Sequence, residues 1–170
     1  MKRLLILRHA KSSWKHPDLE DHDRPLNNRG KRDAPRMGRL MREEGVLPEW
    51  AFGSTARRAR ATLERALEGS GAACEAHLSP ELYLAAPEQI VDVLRRTPEP
   101  HSRVLVVGHN PGMEDLVLAL TGEDVTFPTA ALAVVDCTCE KWADLGLTGV
   151  EDLVRLWKPR ELPDDSDSAC

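Results

Sequence analysis

The chain has 170 residues, a hydrophobic content of 41%, a charged content of 30% and a formal net charge of −5. These values predict one globular domain with a real core, and the negative charge disfavours nonspecific binding to nucleic acid. No apolar stretch reaches the roughly 18 residues of a membrane span, and the basic N-terminus lacks a signal-peptide cleavage site. Because the four cysteines are scattered and form no CxxC pair, we expect a cytoplasmic protein without a membrane partner.

The first predicted strand covers residues 3–8 and ends in two polar side chains. Four consecutive apolar residues are followed directly by Arg8 and His9, and such a continuous apolar run is typical of a parallel strand covered on both faces. A second run of this kind, residues 104–107, leads into His109. Since ligands bind beyond the carboxyl ends of parallel strands, we expect these polar residues to line one crevice.

The segment after the first strand, residues 9–25, is polar and too long for a simple connector, and loops of that length are often functional. The next predicted element is a helix that is capped by Asn27 or Asn28 and runs to about Glu44. Pro35 lies inside this helix, and we expect it to kink the helix axis.

A short second strand is followed by Ser54, which we predict to cap a helix running to about Glu68. Arg57, Arg58 and Arg60 fall in the first turns of that helix, where the positive end of the helix dipole disfavours cations. The same helix end attracts anions. The pattern therefore predicts a phosphate site here, with Arg57 and Arg60 interpreted as solvated neighbours.

The remaining pattern continues to alternate strands with helices. This alternation predicts an α/β fold with three α/β/α layers, a mostly parallel central sheet and one antiparallel edge strand near the C-terminus. We expect one domain over residues 1–158 and an acidic, disordered tail over residues 159–170. The later predicted elements are a strand around His77, a helix from Pro87 to Arg96, a helix from Met113 to Leu120, and strands over residues 131–135 and 153–157.

The polar strand ends point to phosphoryl chemistry. Two histidines with Arg8, Arg24 and Arg58 would surround a group that carries negative charge on its oxygens. A neutral histidine nitrogen is a competent nucleophile at phosphorus when the other ring nitrogen is held as N–H. The sequence has no HExxH motif, acidic magnesium cluster or Walker loop. We therefore expect no metal or cofactor. Two histidines alone are a weaker pattern for zinc, and Cys137 and Cys139 fit one face of a strand better than half a metal site.

Four motifs follow one another along the chain. They are Arg8-His9-Ala10-Lys11-Ser12, Ser54-Thr55-Ala56-Arg57-Arg58-Ala59-x-x-Thr62, Pro80-Glu81-Leu82-Tyr83 and Val107-Gly108-His109-Asn110. In this order they resemble the signatures of the histidine phosphatase superfamily, over roughly residues 3–158. The short chain, the first motif and Asp23-Arg24-Pro25-Leu26-x-x-Arg29-Gly30 resemble the SixA-type phosphohistidine phosphatases. The sequence departs from the family pattern at Thr55, where proline is common.

The resemblance implies a role for each matched residue. His9 matches the nucleophile that takes the phosphoryl group, and His109 matches the second histidine of the phosphate pocket. Glu81 falls where larger members place a general acid. The catalytic residues implied are Arg8, His9, Arg58, Glu81 and His109, and the phosphate- or substrate-binding residues implied are Arg8, Ser12, Arg24, Arg58 and His109.

The implied function is a metal-independent phosphatase that works through a phosphohistidine enzyme intermediate. Its expected substrate is phosphohistidine or another phosphorylated side chain of a protein, such as a phosphorelay domain, or else a small phosphate ester. A metabolite phosphatase or mutase is the first alternative, disfavoured by the short chain and by Ala10 and Lys11 in place of the Gly and Glu of mutase-type sequences. A non-catalytic phosphoprotein-binding module is the second, and it would not need His9. We expect a monomer.

Overall fold

The computed structural model describes residues 1–164 and shows one mixed sheet between helices. Within these residues the strands are β1 (Lys2–Arg8), β2 (Trp50–Ser54), β3 (Glu75–Ser79), β4 (Arg103–Gly108), β5 (Leu132–Cys137) and β6 (Asp152–Trp157). The α-helices are α1 (Asn28–Glu43), α2 (Arg57–Ser70), α3 (Pro87–Leu94) and α4 (Gly112–Thr121). None of these helices is long and apolar enough to cross a membrane.

The sheet has the order β3-β2-β4-β1-β5-β6. The first four strands in this order pair in parallel, whereas β5 is antiparallel to both β1 and β6. The predicted α/β fold with a mostly parallel sheet is therefore confirmed. The predicted antiparallel edge near the C-terminus is present as well, because the edge strand β6 pairs antiparallel with β5. The strand that runs opposite to the others is β5, which lies one position in from this edge and is almost entirely buried.

Alternate residues of the central strands enter two separate cores, one on each face of the sheet. Leu4 and Ile6 pack with α3 and α4, whereas Leu5 and Leu7 pack with α1 and α2. All four of these side chains are fully buried. Burying one such side chain contributes about 1.5–3 kcal/mol to the free energy of folding. These two cores confirm the three predicted layers.

Helix α1 begins as predicted, because the Asn27 side chain accepts a hydrogen bond of 2.9 Å from the Gly30 N–H. Pro35 lies inside α1, which continues past it to Glu43. Glycine at position 30 also permits close packing, because a Cβ atom there would lie 2.2 Å from the Lys11 carbonyl oxygen. The start of α1 is thereby packed against the loop that follows β1.

The chain remains ordered beyond the predicted domain boundary at residue 158. Residues Pro159–Glu161 form a short 3-10 helix in which Pro159 is buried, and Leu162 packs against the core beside α1. Arg36 donates a hydrogen bond of 3.2 Å to the Pro159 carbonyl. The expected tail is thus structured at its start, and its last part, residues 165–170, lies outside the described residues.

Candidate active site

The ends of β1 and β4 bring two histidines together. Arg8 and Gly108 are paired across these neighbouring parallel strands, so the residues that follow, His9 and His109, lie side by side with ring centroids 5.1 Å apart. His9 is only 7% exposed and His109 only 3%. The convergence predicted from the two apolar runs is therefore what the structure shows.

The ring orientation of His9 is set by its own neighbour. His9 Nδ1 lies 2.7 Å from the carbonyl oxygen of Ala10, and since a carbonyl only accepts, Nδ1 carries the proton. Burial is the main cause that lowers the pKa of His9 to about 3, and the nearby His109, Arg58 and Arg8 contribute to this shift. At neutral pH the ring is uncharged, and Nε2 carries the lone pair that a nucleophile needs.

His109 is anchored by a serine for which the sequence predicted another role. A hydrogen bond of 2.8 Å joins His109 Nε2 to Ser54 Oγ, and burial lowers the pKa of His109 to about 4. Ser54 is not the helix cap that was predicted. Ser54 pairs with Ser79 in the parallel sheet and is therefore the last residue of β2. Helix α2 begins at Arg57, three residues after Ser54, and Ala56 is its N-cap.

Arg58 enters the site from the first turn of α2 and is 4% exposed, whereas its neighbour Arg57 is exposed as expected. The Thr62 hydroxyl donates to the Arg58 carbonyl at 2.7 Å and accepts from the Ala10 N–H at 2.9 Å. The Thr62 side chain therefore connects the start of α2 to the loop that follows His9 by hydrogen bonds. The arrangement holds a buried guanidinium beside the two histidines.

Asp21 is the main residue that sequence reasoning missed. Its carboxylate accepts hydrogen bonds from Arg24 at 2.9 Å, from Arg58 at 2.9 Å and from the Tyr83 hydroxyl at 2.5 Å. The Tyr83 hydrogen bond and the two guanidinium groups hold the pKa of Asp21 well below its usual range. The only signal in the sequence was an acidic residue three positions before Arg24 in a long polar loop.

Arg24 and Ser12 support the loop over residues 9–25, and Arg24 also pairs with Asp21. The buried Arg24 guanidinium donates to the Ser13 carbonyl at 3.2 Å and to the Ser12 hydroxyl, and it lies 3.3 Å above the centre of the Trp14 ring. Stacking of the planar Arg24 guanidinium on the face of the Trp14 ring is a favourable cation–π interaction. Direct contact of either residue with phosphate stays a prediction.

Glu81 stands apart from this cluster. Its side chain is 51% exposed, and its two oxygens accept hydrogen bonds from Arg96 at 3.0 and 2.6 Å. Arg96 lowers the pKa of Glu81, which is opposite to what a general acid at neutral pH requires. The structure therefore does not place Glu81 as the expected acid. The same motif instead contributes Tyr83, whose ring is nearly perpendicular to that of His109 with the ring centroids 5.4 Å apart.

Arg8 completes the cluster with a partly free guanidinium. Its Nη1 donates to the Phe127 carbonyl at 3.1 Å, whereas its buried Nε has no hydrogen-bond partner within residues 1–164. His109 Nδ1 is also buried and unpartnered in the same part of the chain. The free N–H of Arg8 beside two neutral imidazoles suits a tetrahedral oxyanion. In the described residues no three His, Cys, Asp or Glu side chains are placed to share a metal ion.

The fold and this cluster define an α/β protein with two histidines and two arginines gathered at the carboxyl ends of its parallel strands. A family model for the histidine phosphatase superfamily (branch 1) matches residues 4–83. An uncharacterized protein of Mycobacterium tuberculosis is 35% identical over 91% of this chain and 100% of its own. The chain belongs to the histidine phosphatase superfamily.

Solved structures agree with this assignment. A protein from Agrobacterium tumefaciens described as a phosphohistidine phosphatase SixA superimposes with a TM-score of 0.79 at 30% identity, over 93% of this chain and 98% of that one. The protein histidine phosphatase SixA complexed with tungstate superimposes with a TM-score of 0.78 at 26% identity, over 93% and 97% of the two chains.

Proposed function

We propose that this protein is a phosphatase in which His9 takes the phosphoryl group. His9 Nε2 attacks phosphorus, the bond from phosphorus to the leaving group breaks, and water then cleaves the N–P bond to release phosphate and restore His9. The observation that carries the proposal is the hydrogen bond from His9 Nδ1 to the Ala10 carbonyl. It holds a neutral ring in the one tautomer whose Nε2 is nucleophilic.

The surrounding cations support the same reaction. Phosphoryl transfer spreads charge over three oxygens, and preorganised donors stabilise that charge. Arg58 and Arg8 each lie close enough to His9 to lower its pKa. A bound tungstate in the SixA neighbour is a tetrahedral oxyanion, which fits a pocket of this kind.

The leaving group points to phosphohistidine on another protein as the substrate. Neither Glu81 nor Asp21 holds a proton at neutral pH, because their arginine and tyrosine partners lower both pKa values. An alkoxide leaves poorly without an acid, whereas the imidazole of phosphohistidine needs less help. The SixA neighbours bear the corresponding name. The reaction is proposed to proceed without a metal, in a cytoplasmic monomer.

A comparison of substrates tests this proposal. Phosphohistidine protein, phosphoserine peptide and a sugar phosphate are offered to the enzyme with EDTA present, and labelled phosphohistidine protein is used to trap the intermediate. We expect the highest kcat/KM for phosphohistidine and an acid-labile, base-stable label that disappears in His9→Ala. Preference for the sugar phosphate would favour the metabolite phosphatase, and tight binding without turnover would favour the binding module.

A further inference from the structure

A basic groove adjoins the active site at Arg8. It is a cavity of about 430 Å³ whose cationic lining residues are Arg8, Lys11, Arg29, Lys158 and Arg160, with Glu161 as the acidic one. A second cavity of about 420 Å³ shares Arg29 and Arg160 with it and adds Arg32 and Arg36, together with the acidic Asp33 and Asp164. Cationic side chains therefore extend from the phosphate pocket across the surface to α1.

Three of the five cationic side chains that line the groove have no ion-pair or hydrogen-bond partner within residues 1–164. The side chains of Lys11, Lys158 and Arg160 form no ion pair or hydrogen bond with any other residue of the described chain, 1–164. Arg29 makes one long contact of 3.4 Å with Asp33. The protein as a whole carries a net charge of −5, so this concentration of cations runs against its overall charge. Such a patch attracts anions from solution.

The groove is also built on fixed backbone. Lys158 and Arg160 flank Pro159, which is buried and whose carbonyl accepts a hydrogen bond from Arg36. Lys11 belongs to the loop that packs directly on Gly30. The backbone that carries these cations is thus held at set positions relative to His9.

We infer that the basic groove binds acidic side chains that lie beside the phosphorylated residue of a protein substrate. This inference rests on the proposed function. A single phosphoryl group fills the pocket at His9, whereas the groove presents further cations over a distance that only a second anionic group can use. The lysine and arginine charges are separate and do not converge on one point. Such an arrangement can bind several carboxylates on different side chains. Such complementarity raises the association rate and excludes substrates of the wrong charge.

The test uses two phosphohistidine peptides that differ only in their flanking residues, Asp and Glu in one and Asn and Gln in the other, together with p-nitrophenyl phosphate. The variant Lys158→Glu/Arg160→Glu is compared with Lys141→Glu/Arg155→Glu, which makes the same charge change at exposed positions outside the groove. We expect the groove variant to lose about tenfold in kcat/KM on the acidic peptide, mainly through KM. The other two substrates should change by less than about twofold.

Raising the ionic strength from about 0.05 M to about 0.5 M should remove the wild-type preference for the acidic peptide. Equal losses on all substrates, or equal losses in the control variant, would overturn the inference. If the wild type hydrolyses none of the substrates, the proposed function fails instead. In that case the affinities for non-hydrolysable phosphohistidine analogues of the two peptides are measured by fluorescence anisotropy. Equal affinities would refute the proposed binding of acidic side chains in the groove.

Discussion

Arg58 and Asp21 are joined twice. Arg58 Nη1 donates to the Asp21 carbonyl at 2.6 Å, and Arg58 Nη2 donates to the Asp21 carboxylate at 2.9 Å. The guanidinium is therefore held along one edge by a residue from the loop before α1. This pairing orients the cation that the sequence predicted and neutralises part of its charge.

Arg58→Lys keeps the charge but cannot reproduce the two-point contact with Asp21 or a bidentate contact with phosphate. We expect kcat/KM to fall by about 10²–10³-fold, the usual cost of removing one preorganised donor. Arg57→Lys is the matched control, because Arg57 is exposed, and it should cost less than about twofold. Steady-state kinetics on p-nitrophenyl phosphate measure both, and similar losses would contradict this placement.

Asp21→Asn should separate binding from chemistry. The variant removes an anion beside the phosphate pocket, so the inhibition constant of inorganic phosphate should fall by about two- to fivefold. It also loosens Arg58, so kcat should fall by about tenfold. Asp23→Asn is the control, since this neighbouring carboxylate is 63% exposed and its ion-pair partner among residues 1–164 is His22. Weaker phosphate inhibition in Asp21→Asn would refute the competition between the carboxylate and phosphate.

Glu81→Gln should have little effect. Because the carboxylate is exposed and paired with Arg96, we expect a change of less than about twofold for alkyl phosphate, aryl phosphate and phosphohistidine alike. The measurement is kcat/KM for the three substrates. A loss of about 10²–10⁴-fold confined to the alkyl phosphate would instead restore Glu81 as the general acid.

The two histidines should make stability depend on pH. Their pKa values, about 3 for His9 and about 4 for His109, lie below the ordinary value of 6.5. Below that value the unfolded chain binds protons that the folded protein does not, so stability is greatest above about pH 6.5 and falls as the pH drops toward the folded-state values. Each histidine contributes up to about 1.4 kcal/mol per pH unit.

Chemical denaturation between about pH 7.5 and pH 4.5 measures this dependence. His9→Gln and His109→Gln should each flatten the slope of unfolding free energy against pH. His16→Gln should not, because His16 is exposed. An unchanged slope in the first two variants would show that these rings are not the cause.

The sequence by itself determined the parts of this protein that depend on local pattern. Two uninterrupted apolar runs predicted two buried parallel strands, and because parallel strands end at the same edge of a sheet, His9 and His109 were expected to line one crevice there. The asparagine before α1 and the contrast between Arg57 and Arg58 followed in the same way from helix geometry.

Only the tertiary structure decided the contacts between distant segments. Asp21 meets Arg58 and Tyr83 through the conformation of a long loop, which no periodicity describes. Ser54 anchors His109 because sheet pairing delays the start of α2. Glu81 binds Arg96 instead of entering the site, since side-chain direction in a short 3-10 turn depends on which partner lies within reach.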